Sequence, residues 1–159
     1  MKAIVCVDKN WGIGYKGKLL AKNPKDMEFF KEKTIGKNII MGRKTLESFR
    51  CKKPLPKRTN IVLSRSDLNR TDIIQFKSIE DFLSSSFYND ETIVIGGGEI
   101  YKQLLTYCDE IFVTKMENEF IVDTYFPNLD NLGYIKTNES EMIVYENIKF
   151  KFITYKKED

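Results

Sequence analysis

The chain predicts an α/β fold, with a central, mostly parallel, twisted sheet that ends in an antiparallel C-terminal hairpin. About four helices flank it, in a single domain spanning residues 1–159. Three observations carry this expectation. Short apolar, β-branched runs alternate with helical patterns through the first two thirds of the chain. Two of those runs stop abruptly in glycine just where a helical pattern begins, at Gly42 and at Gly96-Gly97-Gly98. The last stretch, Leu132 to Tyr155, lacks a helical period and reads as two long strands joined near Tyr145–Asn147. Strand–helix alternation favours parallel pairing, and a hairpin supplies the antiparallel edge. At 159 residues the chain is long enough for one substantial core.

Taken in order, residues 2–8 form a buried strand, and residues 9–23 a long loop rich in Gly and Lys. Asn23-Pro24 is an N-cap followed by a proline at the first helical position, and the helix runs to about Ile35. Asn38 to Met41 is a strand, and Gly42 opens a short helix through Ser48. A stiff loop containing Pro54-Leu55-Pro56 leads to a strand from Thr59 to Leu63 and a short one from Asp72 to Gln75. Ser78 caps a helix to Ser85, after which come a strand at 92–95, a helix at 98–106 and a strand at 110–115.

Composition excludes several chemistries. There is no histidine, which removes Ser-His-Asp and Cys-His catalysis and histidine zinc sites. Acid–base work falls to a carboxylate, Lys, Tyr, Cys or water, and no metal is expected. Cys6, Cys51 and Cys108 are odd in number and form no CxxC, as for reduced thiols in a cytoplasm. A net charge of +3, with no basic stripe interleaved with aromatics, gives no case for nucleic acid. No apolar stretch approaches membrane-spanning length, and the apolar start before Asp8 is too short for a signal peptide. Only five of the 26 basic residues are arginines, so each arginine is a candidate for bidentate phosphate or carboxylate binding.

The triple glycine ends a β-branched run and opens a helix. Glycine lets a ligand approach bare backbone, and a helix start offers N–H donors to an anion. The spacing is neither GxGxxG nor GxxxxGK[ST], so it names no ligand, and a plain strand-to-helix turn is the alternative. Gly42-Arg43-Lys44-Thr45 repeats the arrangement with two cations in the first turn, where they oppose the helix dipole unless an anion lies among them. Two such turns in one sheet could clamp the two ends of a dinucleotide. Leu63-Ser64-Arg65, at a strand's C-terminal end, suits a further phosphate, although an ordinary turn has the same residues. Asp26 lies one turn inside its helix beside Met27 and Phe30. It is either a carboxylate that complements the dipole or one desolvated in an apolar cleft and so able to handle protons. Arg58, after the stiff Pro-Leu-Pro turn, could grip a carboxylate or could lie free on the surface.

Read together, these pieces resemble dihydrofolate reductase of the bacterial chromosomal type over nearly the whole chain. The resemblance rests on Gly12-Ile13-Gly14, Pro24-Lys25-Asp26-Met27 with Phe30 and Thr34, Ile40-Met41-Gly42-Arg43-Lys44-Thr45 with Glu47-Ser48, and Pro54-Leu55-Pro56 with Arg58. It continues through Asn60-Ile61-Val62-Leu63-Ser64-Arg65, Val94-Ile95-Gly96-Gly97-Gly98 with Tyr101, and Asp123-Thr124 with Phe126-Pro127.

The resemblance implies an NADPH-dependent oxidoreductase that reduces dihydrofolate to tetrahydrofolate, placing hydride at C6 and a proton at N5, in support of one-carbon and thymidylate metabolism. It implies Asp26 as the acid of the pterin pocket, supported by Thr114. Val5, Cys6, Met27, Phe30, Ser48, Phe49, Leu55 and Ile95 would line the substrate cleft, and Arg58 would hold the glutamate carboxylate. Gly42, Arg43, Lys44 and Thr45, then Leu63, Ser64 and Arg65, would take the cofactor's phosphates. Cys6, Ile13, Gly14, Leu19, Ile95, Gly96, Gly97, Gly98, Glu99, Ile100 and Tyr101 would complete its site, with a cis peptide joining Gly96 and Gly97. A monomeric cytoplasmic enzyme that binds dihydrofolate and antifolates is expected, with no nucleic acid or membrane partner. The chain departs from the family at Leu19-Leu20-Ala21, where Leu-Pro-Trp is usual, so it lacks the tryptophan that in the family normally helps hold an ordered water near the pterin and packs the first loop. A pyrimidine reductase of the riboflavin pathway and a non-catalytic nucleotide-binding module are the alternative readings. Asp26 beside Met27 and Arg58 after Pro-Leu-Pro speak against the first, and the intact phosphate set against the second.

Overall fold

The computed structural model describes residues 1–158. In chain order its elements are β1 (Lys2–Val7), β2 (Gly12–Gly14), α1 (Pro24–Thr34), β3 (Asn38–Gly42), α2 (Arg43–Ser48), β4 (Thr59–Leu63), β5 (Ile74–Phe76), α3 (Ile79–Leu83), β6 (Thr92–Gly96), α4 (Gly98–Leu104), β7 (Glu110–Met116), β8 (Thr124–Tyr125), β9 (Tyr134–Glu139), β10 (Ile143–Tyr145) and β11 (Ile148–Lys157). The main sheet has the order β10-β11-β7-β1-β6-β3-β4-β5. From β7 to β5 all neighbours are parallel, and β11 runs antiparallel to β7. Strand β6 is inserted between β1 and β3. The chain leaves β3 toward β4 on one side and leaves β6 toward β7 on the other. That divergence is the topological switch point, where open α/β sheets bind ligands beyond the C-terminal strand ends.

Period-two alternation divides the core. Ala3, Val5 and Val7 belong to the larger cluster, with Tyr101, Leu104, Phe126 and Tyr155. Ile4 faces the other way with Ile93 and Phe112, against Phe29 and Phe30 of α1. Full burial of a side chain such as Phe82, Phe126 or Phe150 contributes about 1.5–3 kcal/mol.

The antiparallel end holds the expected hairpin, β10 to β11 with its turn at Glu146-Asn147, but the first arm is divided. Strands β9 and β10 both pair with β11, and β11 pairs with β7 on its other side. The break falls at Ser140, whose N–H donates to Phe152 O and whose Oγ accepts from Phe152 N, each at 2.9 Å. The hydroxyl replaces a ladder carbonyl and the chain then departs. The first loop also differs, because β2 lies within it and pairs with β8. Buried Asp8 holds this arrangement: its carboxylate accepts from Asn10 N and Gly12 N at 2.8 Å and from Phe120 N at 3.1 Å. Strand β5 starts at Ile74 and not at Asp72, whose carboxylate is taken by the Arg70 guanidinium at 2.9 and 2.7 Å. Helix α3 ends at Leu83, where Ser85 Oγ turns back to Phe82 O at 2.6 Å. Helix α4 ends at Leu104 and tightens into a 3-10 turn over Leu105–Tyr107.

Candidate active site

Helix α1 positions the acid. Asn23 Oδ1 accepts from Lys25 N at 3.1 Å and Asp26 N at 3.3 Å, which fixes Asp26 in the first turn. The Asp26 side chain then points to the sheet, where Thr114 Oγ1 donates to Asp26 Oδ1 at 2.5 Å. Thr114 is buried on β7, and Cys6 lies opposite it in register on β1. Burial pushes the Asp26 carboxyl above the usual aspartate range, and the donors Thr114 and Cys6 offset part of that rise. The Cys6 thiol is raised well above its ordinary range, by burial first and by the Asp26 charge second.

The other end of α1 braces Arg58. Its Nε donates to Pro56 O at 2.9 Å and its Nη1 to Thr34 Oγ1 at 3.1 Å, while Thr34 Oγ1 donates to Phe30 O at 2.8 Å. Buried Asn60 locks the Pro54-Leu55-Pro56 turn by accepting from Leu55 N and donating to Leu55 O and Arg58 O. Among the described residues no carboxylate pairs with Arg58, and partial burial lowers its pKa. Asp26 and Thr34 are eight residues apart on one helix, about 12 Å along its axis. A cleft wall thus has an acid at one end and a fixed guanidinium at the other. Phe30, Phe49, Leu55 and Ile95 are half-buried, Ile95 touching both smaller core clusters. Met27 is 59% exposed. Ser48 is exposed, with its Oγ donating to Thr45 O. Val5 packs in the main core on the opposite face.

The two glycine turns are adjacent. Met41 is in register with Gly96, a Cβ on Gly42 would lie 3.0 Å from Ile100, and one on Gly97 would lie 3.6 Å from Thr45 Oγ1. The Gly96–Gly97 peptide is cis. Tyr101 is buried beside this turn. Its ring packs under Gly96 and its hydroxyl donates to Ile4 O at 2.6 Å. Arg43 pairs with Glu47 at 2.5 Å, while Lys44 and Glu99 are exposed. Beyond Leu63, Ser64 and Arg65 opens a cavity of about 530 Å³, also lined by Ile100, Lys77 and Gln103. Lys77 and Gln103 were missed in the sequence, although Lys77 follows β5 just as Arg65 follows β4, and Gln103 is one turn along α4 from Ile100.

The first loop covers this end. A Cβ on Gly98 would lie 2.5 Å from Thr124 Cγ2 and 3.8 Å from Ile13 Cδ1, so β2 and β8 lie directly over the start of α4. Asp123 Oδ2 accepts from Lys16 N at 2.9 Å, Asp123 N donates to Gly14 O at 3.0 Å, and these bonds join the two covering segments. Leu19 is 84% exposed, whereas Leu20 and Ala21 are half-buried. Among the described residues no helix is long and apolar enough to cross a membrane.

Comparison with known proteins agrees with this geometry. The family model described as dihydrofolate reductase matches residues 1–157. The dihydrofolate reductase of Buchnera aphidicola subsp. Acyrthosiphon pisum is 44% identical over 134 residues, covering 84% of this chain and 83% of that one. That of Bacillus subtilis is 34% identical over 159 residues, covering 98% and 94%. A solved dihydrofolate reductase from Enterococcus faecalis, complexed with NADP(H) and RAB-propyl, superposes with a TM-score of 0.88 at 34% identity, covering 99% of this chain and 96% of that one. A match of this length sets aside the pyrimidine-reductase and non-catalytic readings, and the chain belongs to the dihydrofolate reductase family.

Proposed function

We propose that the chain reduces 7,8-dihydrofolate to 5,6,7,8-tetrahydrofolate with NADPH, with Asp26 as the acid of the pterin pocket and Arg58 as the clamp on the substrate's glutamate carboxylate. The observation that carries the reading is the carboxyl group held by Thr114 at 2.5 Å on the cleft wall whose far end presents a braced guanidinium that pairs with no carboxylate among the described residues. When bound, NADPH supplies the hydride that goes to C6. Asp26 holds the amino and N3 side of the pterin ring and favours protonation at N5. Its desolvation keeps the carboxyl group protonated at higher pH than a free aspartate, which suits a proton source. The rest of the protein's contribution is positioning.

The residues present fit the cofactor. Two adjacent strand–glycine–helix turns bring bare backbone to the switch point, and the cavity of about 530 Å³ beyond them is edged by Ser64, Arg65, Lys77 and Gln103. Two cations beside a hydroxyl suit an adenosine 2′-phosphate. Arg65→Ala is expected to weaken NADPH binding roughly 10- to 100-fold, as for loss of a charged hydrogen bond, and to leave NADH nearly unaffected. Fluorescence titration with both cofactors checks this, and equal losses would remove the 2′-phosphate assignment. Arg43, Lys44 and Thr45 serve the remaining phosphates, Arg43 by exchanging its Glu47 partner for the ligand.

Asp123 and β8 hold the first loop over Gly98, and Asp8 holds the loop's base. The loop therefore closes over the reacting end of the cleft with Trp11 stacked on Phe126 at its base and with half-buried Leu20 and Ala21 where the family usually has Pro-Trp. Three free cysteines support a reduced, cytoplasmic setting, and the reading is of one domain acting as a monomer. The direct test follows NADPH absorbance. Loss of signal only when dihydrofolate is also present supports the assignment, and no loss, or loss without dihydrofolate, overturns it.

A further inference from the structure

We infer that the Cys6 thiol is a second donor to the Asp26 carboxylate, facing it from β1 as Thr114 does from β7, and so a positioning residue for the acid. This rests on the assignment of Asp26 made above. The geometric ground is the sheet register. Strands β1 and β7 are parallel with Cys6 directly opposite Thr114. Registered residues of neighbouring parallel strands project to one face, with the strands about 5 Å apart. Thr114 reaches Asp26 Oδ1 at 2.5 Å, so the carboxylate lies over this pair of strands with the Cys6 side chain as its neighbour on the same face. A carboxylate accepts at up to about four lone-pair sites, so two neutral donors do not compete.

The titratable groups around Asp26 are few. Cys6 faces it from β1. Tyr101 of α4 feels its charge, but the Tyr101 hydroxyl is committed to Ile4 O. On α1 itself Lys25 and Glu28 flank it in sequence. Burial raises the carboxyl pKa, and the Thr114 hydroxyl and the Cys6 thiol hold that rise back, with no charged neighbour among the causes. Burial and the nearby carboxylate also keep the thiol protonated, so it donates and does not act as a nucleophile. The acid is thus set by desolvation against two neutral donors, one of them a weak thiol.

The test compares wild type, Cys6→Ala and Cys6→Ser as NADPH complexes. The ¹³Cγ resonance of Asp26, assigned by its loss in Asp26→Asn, is titrated alongside the pH profile of kcat/KM. Folding is verified by thermal unfolding. Cys6→Ala is expected to move the Asp26 titration up by about half a pH unit, and Cys6→Ser to move it below wild type, since a hydroxyl donates more strongly. The kcat/KM limb should move in the same order. A packing role would leave the titration in place or shift both variants the same way, and either result overturns the inference. Should the pH limb persist in Asp26→Asn, the Asp26 assignment itself falls, whatever the Cys6 variants do.

Discussion

Asp26→Asn is expected to slow dihydrofolate reduction roughly 10²- to 10⁴-fold at neutral pH, the usual contribution of a positioned acid, while leaving NADPH binding intact. With no histidine in the chain, no neighbouring imidazole can take over the proton step. Thr114 can still donate to an asparagine Oδ1, so the loss belongs to the charge and the proton and not to a collapsed site. The same substitution should stabilise the fold. Burial raises the folded-state pKa of Asp26 above the unfolded value of 3.8. Between those two values the native state binds more protons than the unfolded state, so this group's stabilising effect is complete below the unfolded pKa and is lost as pH rises through the folded one. Asparagine remains neutral and avoids that loss. Its Tm should exceed that of wild type at pH 7, with the advantage shrinking in acid. Thermal unfolding across pH measures the second effect and steady-state rates the first. Near-wild-type turnover at pH 7 would end the assigned role.

Arg58→Leu is expected to raise KM for dihydrofolate roughly 10- to 100-fold with little change in kcat, because it removes a charged hydrogen bond far from the reacting atoms. The side chain has the geometry for this. Pro56 O and Thr34 Oγ1 fix two of its nitrogens and leave the remaining fork for a bidentate carboxylate. A pterin substrate that lacks the glutamate tail separates the interpretations. Wild type and Arg58→Leu should reduce it at similar efficiency. An equal loss on both substrates would mean that Arg58 only supports the Pro-Leu-Pro turn.

Much of this site was visible in the chain because its signals are local. An N-cap before Pro24, two β-branched runs ending in glycine and an arginine after a stiff turn each lie within a few residues. What stayed hidden depends on distant partners. The Thr114–Asp26 bond spans 88 positions, and Thr114 itself belongs to an unremarkable strand, so resemblance alone singled it out. Strand β2 has three residues, two of them glycine, and exists only through β8 more than a hundred residues away. Asp8 looked like the charged end of a strand, yet it is the buried acceptor that ties two loops together. The resemblance puts Tyr101 at the cofactor, and its burial beneath Gly96 depends on the strand and helix that meet there. Lys77 and Gln103 line the cavity beside Ser64 and Arg65 only because β4, β5 and α4 bring them together there.

The account's central claim is hydride transfer to dihydrofolate across the floor formed by Ile95 and the glycine turn. NADPH deuterated at the transferable C4 position tests it most directly. Mass spectrometry and NMR should find one deuterium at C6 of tetrahydrofolate for each NADPH consumed, with no consumption when dihydrofolate is withheld. Unlabelled tetrahydrofolate, or label at another carbon, would contradict the account.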